Sequence, residues 1–448
     1  MNGTRAFGKK NLGAAVEQPN LATPVKAQNF DYAAQAAELH SACLEKLDPA
    51  AINKLSPDRL MAEIEHVVNE IANEKRIQLN AKEQKSLAND LVNDMLGLGP
   101  IQPLLDDDQI TDIMVNGPFK IFVERQGALI ETDVNFRNKK HLMAVSQRIA
   151  SAVGRRIDES SPTVDARLSD GSRVNIVFPP LALDGPYLSI RKFSKKSIDF
   201  KSIVENDGCS QQVSKILEIS AKCRLNVIIS GGTGSGKTTL MNAMSKLIDR
   251  GERVVTVEDA AELQFQQPHV VRLETRPPSI EGTGEITQRD LVRNALRMRP
   301  DRIIIGEVRG GEAFDMLQAM NTGHDGSMST IHANNTREAI TRIENMVQMG
   351  NLGLSPQAIR SQIIGAVDLL VQIERHRDGV RRIVQVTDVS GLEGDIVVLN
   401  DVVSFVMDGE RHDGHIKGSY KISRTKTSFH NKLRYFQLDK SWNAALGE

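Results

Sequence analysis

Apolar positions recur at helical spacing through the first hundred residues and then give way to the alternation of strands, so the pattern alone divides the chain. Ala36, Leu39, Cys43, Leu44 and Leu47 share one face of a predicted helix that Asp48-Pro49 stops. Ser56-Pro57 offers an N-cap and a first-turn proline, after which Leu60, Met61, Ile64, Val67, Val68 and Ile71 form one stripe. A third helix is predicted from Asn80, with Glu83 placed as in a capping box, through Leu87, Leu91 and Met95 to Gly97. Residues 29–97 are therefore read as a three-helix module behind a flexible Gly-, Asn-, Pro- and Ala-rich tail over residues 1–28.

From Leu98 the texture is β. Strands are predicted at Asp112–Asn116, Lys120–Glu124 and Leu129–Val134, the last two flanking a Gln126-Gly127 hairpin turn. A helix near Lys139–Val153 and strands at Arg173–Phe178 and Tyr187–Arg191 complete an α+β domain over residues 98–200. The polar segments Ser194–Ser197 and Glu205–Ser210 read as a linker. Beyond it, strand and helix alternate as in a parallel α/β sheet: strands at Asn226–Ser230, Arg253–Val257, Val270–Leu273, Arg302–Gly306 and Ser327–Ile331, with short candidates at Leu369–Ile373 and Ile383–Val386. Helices fit at Thr238–Ile248, Thr287–Met298, Glu312–Thr322, Arg337–Val347 and Pro356–Val367. Residues 201–395 form this domain, and residues 396–448 read as a polar, irregular C-terminal extension.

Composition narrows the class. With 448 residues, 40% hydrophobic and 25% charged, the chain has the balance of a soluble globular protein and length for about three domains. Its net charge of −1 and 4% aromatics offer neither a field nor stacking platforms for nucleic acid, which disfavours a nucleic-acid translocase. The N-terminus lacks a signal-peptide core and no stretch approaches the roughly 20 apolar residues of a membrane span, so the chain is read as cytoplasmic without direct membrane insertion. Cys43, Cys209 and Cys223 have neither CxxC spacing nor partner histidines and are expected to be reduced and buried.

The chemistry lies at predicted strand ends. Gly231-Gly232-Thr233-Gly234-Ser235-Gly236-Lys237-Thr238, with Thr239 following, lies between an apolar strand and a helix, the context a phosphate-binding loop requires. Glycines let successive backbone N–H groups turn onto a phosphate, Lys237 reaches the β- and γ-phosphates, and the Thr238 hydroxyl suits Mg²⁺. Glu307 follows the strand RIIIG, Glu258-Asp259 ends VVTVED, and His332 follows another strand. Each alone is weak; in an open parallel sheet, however, ligands bind at the carboxyl ends of strands, where all four features fall. Their convergence argues for ATP hydrolysis rather than binding alone.

Pro162–Phe193, Ser230–Thr239, Val257–Leu263 and Arg297–Asn335 carry a resemblance to the type II/IV secretion ATPase superfamily, specifically the CpaF/TadA motors of Flp (tight-adherence) pili. The resemblance implies a RecA-like P-loop ATPase domain with a parallel-dominated sheet, preceded by a PAS-like α+β domain and the helical module. It implies a homo-hexamer using ATP and Mg²⁺, in which the domain before Lys195 swings as sites fire, working on inner-membrane pilus platform proteins and held peripherally by them. Glu258 would polarise the attacking water and Glu307 hold the metal's water shell, roles that can be exchanged, while His332 couples γ-phosphate state to the ring. Arg173 and Arg191 match arginines that reach the phosphates; the alternative is surface pairing with Asp165 or Asp170, and Arg299 and Arg309 are further candidates. The four-Cys zinc module of the type II branch is missing from the sequence, which disfavours that branch. The nearest rival is a motor of a conjugation-type secretion system.

Overall fold

A computed structural model describes residues 38–40, 42, 43, 46, 57–125, 128–193, 198–278, 283–412 and 414–447. They form two compact units: one runs to Leu168 and includes Arg173–Lys192, the other comprises Ser169–Ser172 and the chain from Phe193 on.

In the first unit, helices Pro57–Glu74 and Ala81–Met95 pack through Leu60, Ile64, Val68, Leu87 and Leu91, together with Leu39 and Cys43. The capping box is present: Asn80 Oδ1 accepts the Glu83 N–H at 2.9 Å, and Glu83 Oε2 accepts the Asn80 N–H at 2.8 Å. Ser56, Ala36, Leu44, Leu47 and the Gln126-Gly127 turn lie outside the described residues. Asp94 joins the helices to the following domain, meeting His40 Nε2 at 3.0 Å, His141 Nε2 at 3.1 Å and Arg137 Nη1 at 2.8 Å. Burial opposes its charge, but these donors hold its carboxyl well below the usual carboxylate range.

That domain is a six-stranded antiparallel sheet in the order β3-β2-β1-β6-β5-β4, built from β1 (Ile110–Asn116), β2 (Ile121–Arg125), β3 (Ala128–Glu131), β4 (Thr163–Arg167), β5 (Arg173–Val177) and β6 (Tyr187–Arg191). Its inner face, including Ile113, Val115, Ile176 and Ile190, buries Leu142, Val145 and Ile149 of helix Lys139–Ala152. The edge strand β4 is missing from the sequence expectation, because Val164 and Ala166 are its only apolar positions.

The second unit holds a nine-stranded sheet, ordered β15-β14-β13-β12-β7-β11-β10-β8-β9. Its strands are β7 (Val227–Gly231), β8 (Val254–Glu258), β9 (Val270–Glu274), β10 (Arg302–Ile305), β11 (Met328–Ile331), β12 (Leu369–Arg375), β13 (Arg381–Glu393), β14 (Ile396–Glu410) and β15 (Ile416–Ile422). Neighbours from β12 to β9 are parallel, and β13 to β15 add antiparallel strands beyond β12. Helices cover both faces, with Ile216, Leu217 and Leu240 in one core and Met316, Ile340 and Ile363 in the other.

Two expectations need correction. The stretch after residue 395 is ordered rather than irregular: β14 and β15 extend the sheet, and helices His430–Tyr435 and Asp439–Leu446 bring Leu433 and Trp442 into the core. Residues at the expected linker's end are helical instead, because Phe200–Glu205 forms one helix and Ser210 caps a second, Gln211–Lys222; Ser194–Ser197 lie outside the described residues. Lys432 Nζ closes the C-terminal segment onto the sheet, 2.8 Å from both Asp325 and Asp368. No helix among the described residues is long and apolar enough to cross a membrane.

Candidate functional site

Strand β7 is buried along its length and delivers the phosphate loop to the carboxyl edge of the sheet. Gly231 is obligatory there, since a Cβ would lie 2.2 Å from the Ile373 carbonyl oxygen on β12. Gly234 and Gly236 take φ of +69° and +100°, the left-handed turns that let the loop curl back on itself. Gly236 then caps helix Lys237–Ser245, whose free N–H groups face the cradle. The Ser235 hydroxyl is buried without a hydrogen-bond partner, a polar atom poised for a ligand oxygen.

Because β7, β11, β10 and β8 are parallel neighbours, the loop, His332, Glu307 and Glu258 follow one another along that edge. Lys237 is only 8% exposed, its Nζ donating to the carbonyls of Gly231 at 3.1 Å and Gly232 at 2.9 Å. Burial lowers its pKa, partly offset by the charge of Glu307. His332 Nε2 lies 2.9 Å from Glu307 Oε1 and 3.5 Å from Lys237 Nζ. The shorter contact fits a neutral ring donating from Nε2, and burial together with the Lys237 charge pushes the His332 pKa down. Glu307 Oε2 accepts from Arg309 Nη2 at 2.8 Å. Burial acts against the Glu307 charge, but Arg309, His332 and Lys237 outweigh it and keep the carboxyl below its ordinary value.

Glu258 sits in a different environment. It is 2% exposed, and its Oε2 accepts the backbone N–H groups of Glu262 at 2.7 Å and Leu263 at 2.9 Å. Its Oε1 is buried and has no partner. Burial raises its pKa to about 7 against the pull of those two N–H groups. The side chain lies against Gly306, where an added Cβ would fall 2.9 Å from Glu258 Cγ, so Gly306 makes room for it beside Glu307. Two carboxyls at adjacent strand ends thus have opposed tendencies, the arrangement that separates a proton acceptor from a fixed charge.

These residues fit a nucleoside triphosphate with a divalent cation. The cradle has no space for side chains at Gly231, and buried oxygens of Ser235 and Glu258 wait for partners. Thr238, half-buried in the helix's first turn, and Glu307 are the groups suited to Mg²⁺. Among the described residues no cluster of three or more His, Cys, Asp or Glu could hold a metal.

Arg173 and Arg191 lie in the other unit, directly paired in register, with Arg167 opposite Arg173. Arg191 Nε meets Asp112 at 3.1 Å. Sequence reasoning overlooked Arg167, which the pairing adds to this row, as well as two residues beside the phosphate loop. Gln372 on β12 accepts from the Ser230 hydroxyl and donates to the Ala333 carbonyl at 3.2 Å, bridging the strand before the loop to the segment carrying His332. Arg381 Nε donates to the Gly234 carbonyl at 2.9 Å. Arg299 stands at the turn before β10 with φ of 54°.

Residues 94–386 match a family described as type II/IV secretion system protein. A Mycobacterium tuberculosis (strain CDC 1551 / Oshkosh) protein provisionally named for conjugal transfer is 39% identical over 310 residues, 68% of this chain and 88% of the relative. The conjugal transfer protein TrbB of Rhizobium radiobacter is 33% identical over 64% of this chain and 86% of its own. The crystal structure of the VirB11 ATPase from the Brucella suis type IV secretion system, in complex with sulphate, is 30% identical over 64% of this chain and 94% of that one, with a TM-score of 0.35.

Proposed function

Since the chain belongs to the type II/IV secretion system protein family, we propose that it is a motor that hydrolyses ATP and converts the energy into movement of a membrane-embedded secretion or pilus assembly. The observation that carries the reading is the contact sequence Lys237–His332–Glu307–Arg309 beside a glycine cradle, with Glu258 buried next to it. Lys237 binds the β- and γ-phosphates. Glu258 Oε1 takes a proton from the attacking water, whose oxygen bonds to the γ-phosphorus as the phosphoanhydride breaks to give ADP and phosphate. The Thr238 hydroxyl and the Glu307 carboxylate would hold Mg²⁺, which when bound would supply charge neutralisation at the phosphates. His332, between Lys237 and Glu307, responds when the γ-phosphate leaves. Arg173 and Arg191 are proposed as further phosphate contacts, and a homo-hexameric ring as the working form.

The names of the matched relatives favour the conjugation-type alternative as the machine served. The Flp pilus reading rests on sequence resemblance, carried by the motif strings together with the N-terminal helices and the segment Gly391–Asp395. Purified protein is expected to release phosphate from ATP with Mg²⁺, and Lys237→Ala to lose tight ATP binding; a wild-type protein inert in every assembly state overturns the reading. Identification of the co-purifying membrane partner, a conjugation component or a pilus platform, decides between the two machines. Strong, salt-sensitive stimulation by DNA would instead favour a nucleic-acid translocase.

A further inference from the structure

The β12–β13 hairpin lies against the phosphate loop, and one of its side chains touches the loop directly. Ile373 pairs with Gly231 in register, and eight residues later Arg381 opens β13 with its Nε 2.9 Å from the Gly234 carbonyl oxygen. Its Cδ would be 3.1 Å from a Cβ on Gly236, so the side chain runs along the outside of the loop between two left-handed glycines. The side chain itself is exposed, but the backbone that carries it is held in place. It pairs with Arg375 across the hairpin, and the next residue, Arg382, is buried against Asp378 at 2.8 Å. Asp378 also accepts the N–H groups of Val380 at 3.1 Å and Ile416 at 3.0 Å, fixing the hairpin's tip to β15.

A phosphate cradle works by turning successive N–H groups inward, which forces their carbonyls outward. An outward carbonyl at a glycine with φ of +69° has little steric reason to stay put, because glycine permits either orientation of the peptide. A guanidinium donating to that carbonyl through a charge-assisted hydrogen bond removes the freedom. We infer that Arg381 is a positioning residue for nucleotide binding, holding the Gly234 carbonyl outward from the hairpin so that the Ser235 N–H, which donates to the Gly232 carbonyl at 3.4 Å, stays on the loop's inner side for an incoming phosphate. The inference rests on the ATP-site reading. Since it acts on the part of the cradle that ADP and ATP share, Arg381 strengthens both equally and leaves the chemical step unchanged.

The test uses the full chain with Mg²⁺, measuring Kd for ADP and for a non-hydrolysable ATP analogue by calorimetry, kcat at saturating ATP, and the nucleotide-free Tm. Arg381→Ala should weaken both ligands alike by about tenfold, with kcat and Tm held at wild-type values. Arg381→Lys should recover most of the affinity, since a lysine can reach the same carbonyl. Arg377→Ala, which removes the hairpin's exposed ion pair with Glu410, should bind as wild type. Unaltered affinity in Arg381→Ala, a fall in kcat at constant Kd, or an equal loss in Arg377→Ala would each overturn the inference while leaving the ATP site intact. A wild-type protein that binds neither nucleotide removes the ATP-site reading beneath it.

Discussion

Replacing Glu258 by glutamine separates its chemistry from its packing. The amide oxygen can still accept the N–H groups of Glu262 and Leu263, and the amide nitrogen occupies the position of the unpartnered Oε1, so the local fold should persist. Turnover should drop by about 10²- to 10⁴-fold, the usual contribution of a positioned general base, while the Kd for ATP is kept. The wild-type rate should rise with pH through about 7, because the raised folded-state pKa leaves the base protonated below that point; the residual rate of Glu258→Gln should lose this dependence. Stability moves the other way. With an ordinary carboxyl pKa of 4.5 and a folded value of about 7, the folded state holds the proton more tightly, so the stability this group provides is fully present below pH 4.5 and lost as pH rises through about 7. The loss is about 3 kcal/mol when complete. Glu258→Gln should therefore be more stable than wild type at pH 8 and similar at pH 4 in nucleotide-free urea denaturation, with phosphate release measured in parallel. Wild-type turnover in the variant, or equal stability at pH 8, would refute the assignment and move the base role to Glu307.

Arg173→Ala and Arg191→Ala should each lower kcat more than nucleotide affinity in steady-state and binding assays; unchanged kinetics return them to the sheet surface. Gly231→Ala forces a Cβ to 2.2 Å from the Ile373 carbonyl, so either the β7–β12 pairing or the loop must shift, and both Tm and nucleotide affinity should fall. Arg302, 1% exposed, bonds Glu252 Oε1 at 3.0 Å and Oε2 at 2.6 Å. Among the described residues, Arg302→Ala leaves that acid with Arg224 at 3.3 Å as its remaining ion-pair partner, costing about 3 kcal/mol in chemical denaturation, near the lower bound for a broken buried pair.

Most of the parallel strands were legible because their residues are largely apolar on both faces: β7, β8 and β10 read as near-continuous runs in the sequence, while β11 carries Ser329 and Thr330 between Met328 and Ile331, and all four are buried throughout. The site followed from them, as a shared strand edge gathers Lys237, Glu258, Glu307 and His332 without any knowledge of distances. The C-terminal strands were not legible, since β14 alternates buried and exposed positions irregularly through bulges at Val389/Gly391 and Val386/Thr387 in its pairing with β13. Helix Gln211–Lys222 does carry an apolar stripe of Val213, Ile216 and Leu217, but its polar lead-in reads as linker. Arg381 had no signal at all: within the polar run HRDGVRR it looks like a solvated turn, and only the closeness of β12 to β7 reveals what it touches.

The pairing of β7 with β12 also bears on how the protein is made. Asn226 gives its backbone N–H to an aspartate 142 positions downstream, so the strand feeding the phosphate loop has one flank bare until the ribosome has passed residue 373. Until then an apolar strand edge is open to any extended neighbour, including another nascent chain on the same message. Slow passage through the codons between these strands would lengthen that exposure, making aggregation during synthesis, more than loss of mature activity, the first symptom of changes that weaken β12.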